Sequence, residues 1–185
     1  MDRLLLPLLA SLCLLACTNS APPTATATPS LSATTTTPAP AIAVRPPADV
    51  ILADADVGLA RVSARDHLDL TQSASEQQNQ PLALTDYRTW GWVEESERSW
   101  AGGSQRLDES LVLLTRPEGA SLAFQGWAGE LAKRTACPSG LGLDDCASGT
   151  DGLVGRVGRY VFRLAGTGVD LAKLAGVQAT RISRL

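Results

Sequence analysis

Histidine and the acidic side chains are the residues of this sequence that could carry acid–base or metal chemistry. His67 is the single histidine, and Asp66 and Asp69 stand close to it. A lone histidine rules out a two-histidine zinc helix and any multi-histidine metal site. The sequence also contains no Gly-x-Ser-x-Gly motif to supply the nucleophile of a catalytic triad. We therefore interpret His67 as a surface histidine, and the sequence predicts neither a metal site nor a cofactor.

Two short acidic clusters offer oxygen ligands of the kind that calcium prefers. Asp54 and Asp56 form the first, and Asp144 and Asp145, with Asp151 downstream, form the second. The first lacks the third oxygen ligand and the later glutamate of a calcium loop, and the second is only two adjacent carboxylates with a third nearby. We interpret both as solvated turns and keep calcium binding as the sharper alternative.

Pairs of carboxylates can also act as general acid and general base in hydrolysis, provided that they converge in a cleft. The candidates are Asp66 or Asp69 on one side, with Glu94 or Glu95 on the other. Nothing in the sequence brings these groups together. We assign no catalytic residue, and an enzyme is the less favoured interpretation.

The tryptophans are the strongest candidates for contact with a ligand. They account for four of the eight aromatic residues: Trp90, Trp92, Trp100 and Trp127. In a cleft between a sheet and a helix, the flat indole and its N–H could hold a sugar ring or an apolar ligand. Core packing is the alternative for Trp92 and Trp127. Trp100 lies beside a Gly-Gly pair at a predicted hairpin tip, so we expect it to be exposed.

The N-terminal residues carry a targeting signal. Arg3 is followed by an apolar run over residues 4–15, and residues 14–17 are Leu-Leu-Ala-Cys. This order resembles the signal peptide and lipobox of bacterial lipoproteins. The resemblance implies that residues 1–16 are removed and that the thiol of Cys17 takes a diacylglyceryl group. Because two or three acyl chains hold a protein durably on a bilayer, it also implies an extracytoplasmic protein anchored by lipid to the cell membrane or the outer membrane.

Composition divides the rest of the chain into two parts. Residues 17–48 contain the lipidated cysteine and a stretch that is almost wholly Thr, Ala, Pro and Ser, with no charge before Arg45. Such a stretch has too little apolar surface to offset the entropy of ordering, which predicts a disordered tether. Residues 49–185 have a globular composition and suffice for one core, so we expect a single domain. The net charge of −3 disfavours nucleic acid as a partner.

The lipoprotein resemblance also accounts for the cysteines. The sequence has four, of which one lies in the signal peptide and Cys17 takes the lipid. Cys137 and Cys146 remain as a pair in an oxidising compartment, where a disulfide is expected. The loop between them is rich in glycine and has no apolar period, so the bridge would brace a segment that the core cannot.

The clearest local structure is a β-hairpin. Residues 88–100 and 105–114 are strand-like runs on either side of an Ala-Gly-Gly-Ser segment. Paired glycines favour a tight primed turn, here with Gly102 and Gly103 as the two-residue loop. In that register Trp92 faces Leu113 across the hairpin, although a three-residue loop would shift the pairing.

Each of two hairpins is followed by a helix. After the first, residues 115–118 are Thr-Arg-Pro-Glu, typical of a capping box, and apolar residues at helical spacing continue to about Lys133. The second unit has strands over 153–157 and 160–165, and its helix opens over residues 167–170. The chain thus predicts two ββα units in succession.

Two ββα units predict a single α+β domain. We expect an antiparallel sheet of about four to six strands with helices packed on one face, to which residues 49–87 add a strand or two and a short helix. Three short motifs, at residues 90–92, 116–120 and 158–161, resemble those of uncharacterised extracytoplasmic lipoprotein domains of bacteria. Some of these domains adopt PsbP-like α/β/α sandwiches, which the resemblance implies as the alternative fold.

These features favour a non-enzymatic binding or interaction module of the cell envelope, whose ligand the sequence does not identify. The lipid anchor and the tether would keep such a module near its membrane, where its partner is an envelope protein or a small ligand. Two alternatives stay open. One is an envelope hydrolase or transferase that uses paired carboxylates, and the other is a structural or assembly lipoprotein with an exposed apolar patch.

Overall fold

The structure, a computed structural model, describes residues 44–184. The predicted signal peptide, Cys17 and most of the predicted tether lie outside these residues. The described helices are α1 (Pro47–Val50), α2 (Asp54–Val57), α3 (Leu70–Ser75), α4 (Gln80–Trp90), α5 (Pro117–Gly129) and α6 (Leu171–Ser183). The described strands are β1 (Ala60–Leu68), β2 (Trp92–Gly102), β3 (Gln105–Leu114), β4 (Thr135–Ala136), β5 (Asp145–Ser148), β6 (Leu153–Val157) and β7 (Tyr160–Thr167).

One antiparallel sheet contains all of these strands, in the order β1-β2-β3-β7-β6-β5-β4. The two predicted hairpins meet at its centre, where β3 pairs with β7. The α+β class, the antiparallel sheet and the two ββα units are therefore confirmed. The sheet has seven strands instead of four to six. Before the first hairpin lie one long strand and four helices, where we expected a strand or two and one short helix.

The helices pack on both faces of the sheet, as in the alternative sandwich. Successive residues of a strand point to opposite faces. Val112 and Leu114 therefore pack with α5, whereas Leu111 and Leu113 pack with α6 and with the residues that follow α1. Because the central strand is apolar at four consecutive positions, both of its faces must be covered.

The turn of the first hairpin lies one residue later than predicted. It consists of Gly103 and Ser104. Gly103 has a φ of 60°, a left-handed conformation that glycine adopts without a steric penalty. The later turn pairs Glu94 with Leu113, and a bulge between Trp92 and Glu94 then pairs Trp92 with Leu114, so the predicted pairing of Trp92 with Leu113 is wrong. Leu113 belongs to the core on the other face.

Trp90 lies at the end of a helix and not on a strand as predicted. Ala83 and Tyr87 of α4 are buried one helical turn apart, and this packing extends the helix through residue 90. The helix stops at Gly91, whose φ of 75° forms a left-handed cap. Strand β2 begins at the next residue, so a single glycine connects the helix to the sheet.

The two long helices differ in how they begin. The predicted capping box at residues 115–118 is wrong: α5 begins at Pro117, and its N-cap residue Arg116 makes no capping hydrogen bond through its side chain. The N–H of Thr115 instead donates to the carbonyl of Gly91 at 2.8 Å. Helix α6 follows the predicted segment, because a side-chain oxygen of Asp170 accepts from the N–H of Lys173 at 3.0 Å.

Residues 45–52, which we call the N-terminal strap, are attached to the sheet by buried polar groups. The Tyr160 hydroxyl accepts from the N–H of Arg45 at 2.9 Å and donates to its carbonyl at 2.7 Å. Glu109 Oε2 accepts from the N–H of Leu52 at 3.2 Å. Three further side chains donate to strap carbonyls: Arg98, Gln178 and Arg181.

The predicted disulfide is present at one edge of the sheet. Cys137 and Cys146 are bonded, with their Cα atoms 5.7 Å apart. Cys146 belongs to β5, and Cys137 follows the short edge strand β4. The bridge therefore fastens the glycine-rich loop to the sheet. Among residues 44–184, no helix has both the length and the apolar character required to cross a bilayer.

Candidate ligand-binding cleft

A cleft of about 580 Å³ opens between α4 and α5 on one face of the sheet. This volume lies within the range of small-molecule binding sites. Its floor contains Glu95 and Glu97 of β2, Ser110 of β3 and Arg163 of β7. Its walls come from α3, the loop after it, α4 and the end of α5.

The strand register explains which side chains form the floor. Glu97 pairs with Ser110, and Ser110 pairs with Arg163, so these three form a row across neighbouring strands. Glu95 lies two residues before Glu97 and projects from the same face. The pattern places polar groups where α4 and α5 leave the sheet uncovered.

Three of the four tryptophans belong to one aromatic cluster at this cleft. Trp92 stacks on Tyr87, with ring centroids 4.0 Å apart and planes inclined by 16°. The ring of Trp127 packs edge-on against the indole of Trp92, with ring centroids 6.1 Å apart. The ring centroid of Trp90 lies 5.5 Å from that of Tyr87. Trp90, Tyr87 and Trp127 line the cleft, whereas Trp92 lies buried behind Tyr87. The predicted ligand contacts at Trp90 and Trp127 therefore have the position they need, and contact itself stays a prediction.

Trp100 lies on the opposite face of the sheet, and its predicted exposure is wrong. The side chain is fully buried in the core that contains α6. Its indole Nε1–H donates to a carboxylate oxygen of Asp54 at 2.9 Å. The segment around α2 covers this end of the hairpin, which the local sequence at the turn does not reveal.

Acidic side chains outnumber basic ones in the cleft lining. Five carboxylates contribute to it: Glu76, Asp86, Glu95, Glu97 and Glu130. Arg163 is the one basic residue among the lining residues, and its guanidinium lies 3.0 Å from Glu130. This salt bridge spans from the floor to the end of α5.

Arg65 of β1 forms ion pairs with two more of these carboxylates from the edge of the cleft. It forms a salt bridge with Glu97 at 3.0 Å and another with Glu76. Within residues 44–184, Asp86 and Glu95 form no ion pair. The lining therefore keeps two carboxylates that have no ion-pair partner among these residues.

Glu95 is the most unusual of these groups. Only 5% of its surface is exposed. Burial raises the pKa of its carboxyl group from the ordinary value of about 4.5 to about 7, because a low-dielectric environment disfavours the charged form. Burial also raises the pKa of Glu97. Near neutral pH, Glu95 is thus poised between a carboxylic acid that donates and a carboxylate that accepts.

The predicted hydrolytic carboxylate pairs are not brought together. Asp66, Asp69 and Glu94 all lie outside the cleft lining. Asp69 caps α3 by accepting hydrogen bonds from the backbone. His67 is an exposed residue, as predicted, and its Nδ1 lies 2.7 Å from an oxygen of Glu94.

The acidic clusters considered for calcium are occupied by protein donors. Asp144 and Asp145 contact Arg156 at 3.3 and 2.5 Å, and Asp56 contacts Arg181 at 3.0 Å. Residues 44–184 contain no group of three His, Cys, Asp or Glu side chains arranged to hold a metal ion. These carboxylates form ion pairs with arginines of other elements, where the sequence led us to expect solvated turns.

Sequence reasoning missed most of the polar residues of the cleft. The alternation of Glu95 and Glu97 on a strand was a usable signal, because residues two apart share a face. Asp86, Glu76 and Glu130 carry no such signal, since each comes from a different element. Only the tertiary structure brings them together.

A comparison with solved structures gives a distant likeness. No family model matches this chain, and no curated protein matches it. Among solved structures, the extracellular domain of PknH from Mycobacterium tuberculosis is similar, with 12% sequence identity and a TM-score of 0.41 over 71% of this chain and 87% of that one. A likeness at this level transfers no function.

Proposed function

We propose that this chain is a lipid-anchored extracytoplasmic binding module that holds a small ligand in the cleft between α4 and α5. The observation that carries the proposal is the cleft itself: its volume of about 580 Å³ suits a small molecule, and it combines aromatic rings with several carboxylates. Apolar rings and a few converging polar groups are the usual composition of a ligand site.

Two further features support the extracytoplasmic part of the proposal. The disulfide between Cys137 and Cys146 is of the kind that persists in oxidising compartments. The lipobox-like residues 14–17 and the tether that follows would hold the domain at a membrane surface. Such a module could meet its ligand in the space beside that membrane.

The exposed apolar residues favour a ligand cleft over a docking face. Five large apolar side chains are exposed on the described part of the chain: Val44, Val62, Leu82, Val93 and Leu122. They lie on five different segments of the chain, and single exposed apolar residues need no special explanation. A structural or assembly role would instead favour a continuous apolar face.

A thermal-shift screen of the full chain tests the proposal. The panel contains sugars, amines, amino acids and nucleosides, and a true ligand raises the unfolding midpoint because it binds only the folded state. Ser110→Phe fills the centre of the floor with a residue that strands tolerate. Val62→Phe adds the same ring at an exposed site of β1 outside the cleft and is the matched control.

We expect at least one compound to stabilise the wild type and Val62→Phe but not Ser110→Phe. If every stabilising compound acts equally on Ser110→Phe, the cleft is not the binding site. If no compound in any class stabilises the wild type, the proposal fails in favour of the assembly role.

Hydrolysis is a second candidate, favoured by one observation. Glu95, whose pKa is raised to about 7 by burial, lies on the same strand face as Glu97, which is paired with Arg65. A protonated and an ionised carboxyl in one cleft are the requirement for acid–base hydrolysis. Turnover of chromogenic glycosides that is lost in Glu95→Gln and kept in Glu118→Gln, a change outside the cleft, would establish it. Absence of turnover would leave the binding module.

A further inference from the structure

The cleft has a charge imbalance that narrows the chemistry of its ligand. Protein cations account for three of its carboxylates: Arg65 pairs with Glu76 and Glu97, and Arg163 pairs with Glu130. The remaining two, Asp86 and Glu95, have no ion pair within the described residues. A ligand that enters this space therefore meets a local excess of negative charge.

The excess of negative charge matters most at Glu95, because this residue is buried. The residue is only 5% exposed, yet it lines the cleft. On the adjoining wall, the buried hydroxyl of Ser73 in α3 has no well-formed hydrogen bond among residues 44–184. A buried carboxyl without an ion pair and a buried hydroxyl without a well-formed hydrogen bond are both costly, and a ligand that satisfied them would recover part of that cost.

Aromatic rings surround the same space. Trp90, Tyr87 and Trp127 line the cleft, and each presents a π system whose face attracts a cation. Tyr87 follows Asp86 directly in the chain, so a carboxylate and a ring come from one turn of α4. A carboxylate combined with aromatic faces is a common environment for alkylammonium groups.

We infer that the ligand of this cleft is a small organic cation, whose alkylammonium group lies between Asp86, Glu95 and the aromatic rings. This inference rests on the cleft being the binding site, as proposed above. A neutral sugar would use the rings and hydrogen-bonding groups but leave the two carboxylates unbalanced. An anion would be repelled by them.

Binding of a cation should then be linked to the proton of Glu95. Burial raises the pKa of this residue to about 7, and a bound ammonium favours its ionised form. Because the cation binds the ionised form of Glu95, the affinity of the cleft for the cation should be about tenfold higher at pH 8 than at pH 6. The other charged or titratable groups of the cleft and its edge are Arg65, Glu76, Asp86, Tyr87, Glu97, Glu130 and Arg163. His67 is not a lining residue.

The experiment follows the tryptophan indoles of the full chain by NMR. The protein is labelled with ¹⁵N-tryptophan and kept in a polyoxyethylene detergent, which contains neither a sugar nor an ammonium group. Choline and putrescine are the cationic probes, methyl α-glucoside is the neutral probe, and acetate is the anionic probe, all at matched ionic strength. Trp100 is an internal control, because it lies on the opposite face of the sheet.

The inference predicts that choline or putrescine shifts the indole signals of Trp90 and Trp127 and leaves that of Trp100 unchanged. Affinity should fall at least tenfold in Asp86→Asn and in Glu95→Gln, and it should be unchanged in Glu118→Gln on the exposed side of α5. Glu95→Gln should also remove the difference between pH 6 and pH 8. This last effect would not follow from a merely structural role of Glu95.

Two results would overturn the inference. If methyl α-glucoside shifts Trp90 and Trp127 and neither amine does, the cleft binds a neutral ligand, and the proposed function survives. If neither amine shifts these signals and no other probe does, a cationic ligand is ruled out, and the wider thermal-shift panel decides the proposed function separately.

Discussion

Gly126 of α5 lies directly against the indole of Trp90 at the end of α4. A Cβ atom placed on Gly126 would come within 2.8 Å of the ring, which is closer than packed carbon atoms approach. The absence of a side chain at this position allows the two helices to approach each other at the cleft. The position of the Trp90 ring, which lines the cleft, therefore depends on the absence of a side chain at Gly126.

Gly126→Ala should displace the Trp90 ring and destabilise the fold by about 1 to 3 kcal/mol, the usual cost of overpacking. Gly129→Ala, on the same helix, is the matched control, because nothing lies within 4 Å of the position that its methyl group would occupy. We expect that control to be neutral or to stabilise by up to about 1 kcal/mol. Urea unfolding followed by tryptophan fluorescence measures both, and equal effects would contradict the proposed contact.

Glu95→Gln should change how stability depends on pH. The pKa of Glu95 is raised to about 7 in the folded protein and is about 4.5 when the chain is unfolded. The folded state therefore binds the proton more tightly, so the contribution of Glu95 to stability is full below pH 4.5 and is lost as the pH rises to about 7. Glu95→Gln removes this loss, which is on the order of a few kcal/mol.

Urea unfolding between pH 4 and pH 8 checks this prediction. The difference in unfolding free energy between Glu95→Gln and the wild type should move in favour of the variant as the pH rises, and then level off above pH 7. Glu118→Gln, at an exposed position, serves as the control and should follow the wild type. Parallel curves for Glu95→Gln and the wild type would show that Glu95 is not a perturbed group.

Glu109→Ala should release the N-terminal strap. Glu109 is buried, accepts the hydrogen bond of Leu52 and faces Arg98 across the β2–β3 pair. Removing it leaves the buried N–H of Leu52 without an acceptor, which costs about 1 to 3 kcal/mol. Glu109→Gln keeps an acceptor for Leu52 and should cost less. Limited proteolysis should cut within residues 45–52 in the alanine variant first, and equal cutting rates in both variants would contradict this role.

The disulfide should stabilise the fold without shaping the cleft. Replacing Cys137 and Cys146 together by serine opens a short loop, whose closure entropy corresponds to about 2.5 kcal/mol. The loop lies at the β4 edge of the sheet, away from the lining residues. Chemical denaturation should show the loss, whereas ligand affinity should be unchanged; a large loss of affinity would place the loop in the site.

Cys17→Ser tests the proposed lipid anchor. Without the thiol no diacylglyceryl group can be attached, so the variant should leave the membrane fraction of a bacterial host and no longer incorporate labelled palmitate. Cys13→Ser, within the apolar run, is the matched control and should remain in the membrane fraction. Labelling of the Cys17→Ser variant would contradict the predicted lipidation site.

The sequence predicts the local elements of this fold better than their packing. The second hairpin has its turn at Gly158 and Arg159 as predicted, where the φ of Gly158 is positive, although β7 extends two residues further than predicted, to Thr167. In the first hairpin, Gly102-Gly103 and Gly103-Ser104 are both acceptable turns. Long-range packing decides between them. A bulge between Trp92 and Glu94 then places Leu113 on the face opposite to Trp92.

The sequence of β3 indicates that helices cover both faces of the sheet. Residues 111–114 are Leu-Val-Leu-Leu, and consecutive apolar residues are typical of a strand that is covered on both faces. Our expectation of helices on one face gave more weight to the alternation in β7. The cleft is different, because its carboxylates come from separate elements and its two central groups, Asp86 and Glu95, share no sequence pattern. Such a site depends on tertiary structure.

Calorimetric titration of the full chain with the best compound of the screen tests the binding role of the cleft most directly. We expect a dissociation constant that is at least tenfold weaker in Ser110→Phe, where the floor is filled, and unchanged in Val62→Phe. The same affinity in all three proteins would contradict the account, because it would place the ligand outside the cleft between α4 and α5.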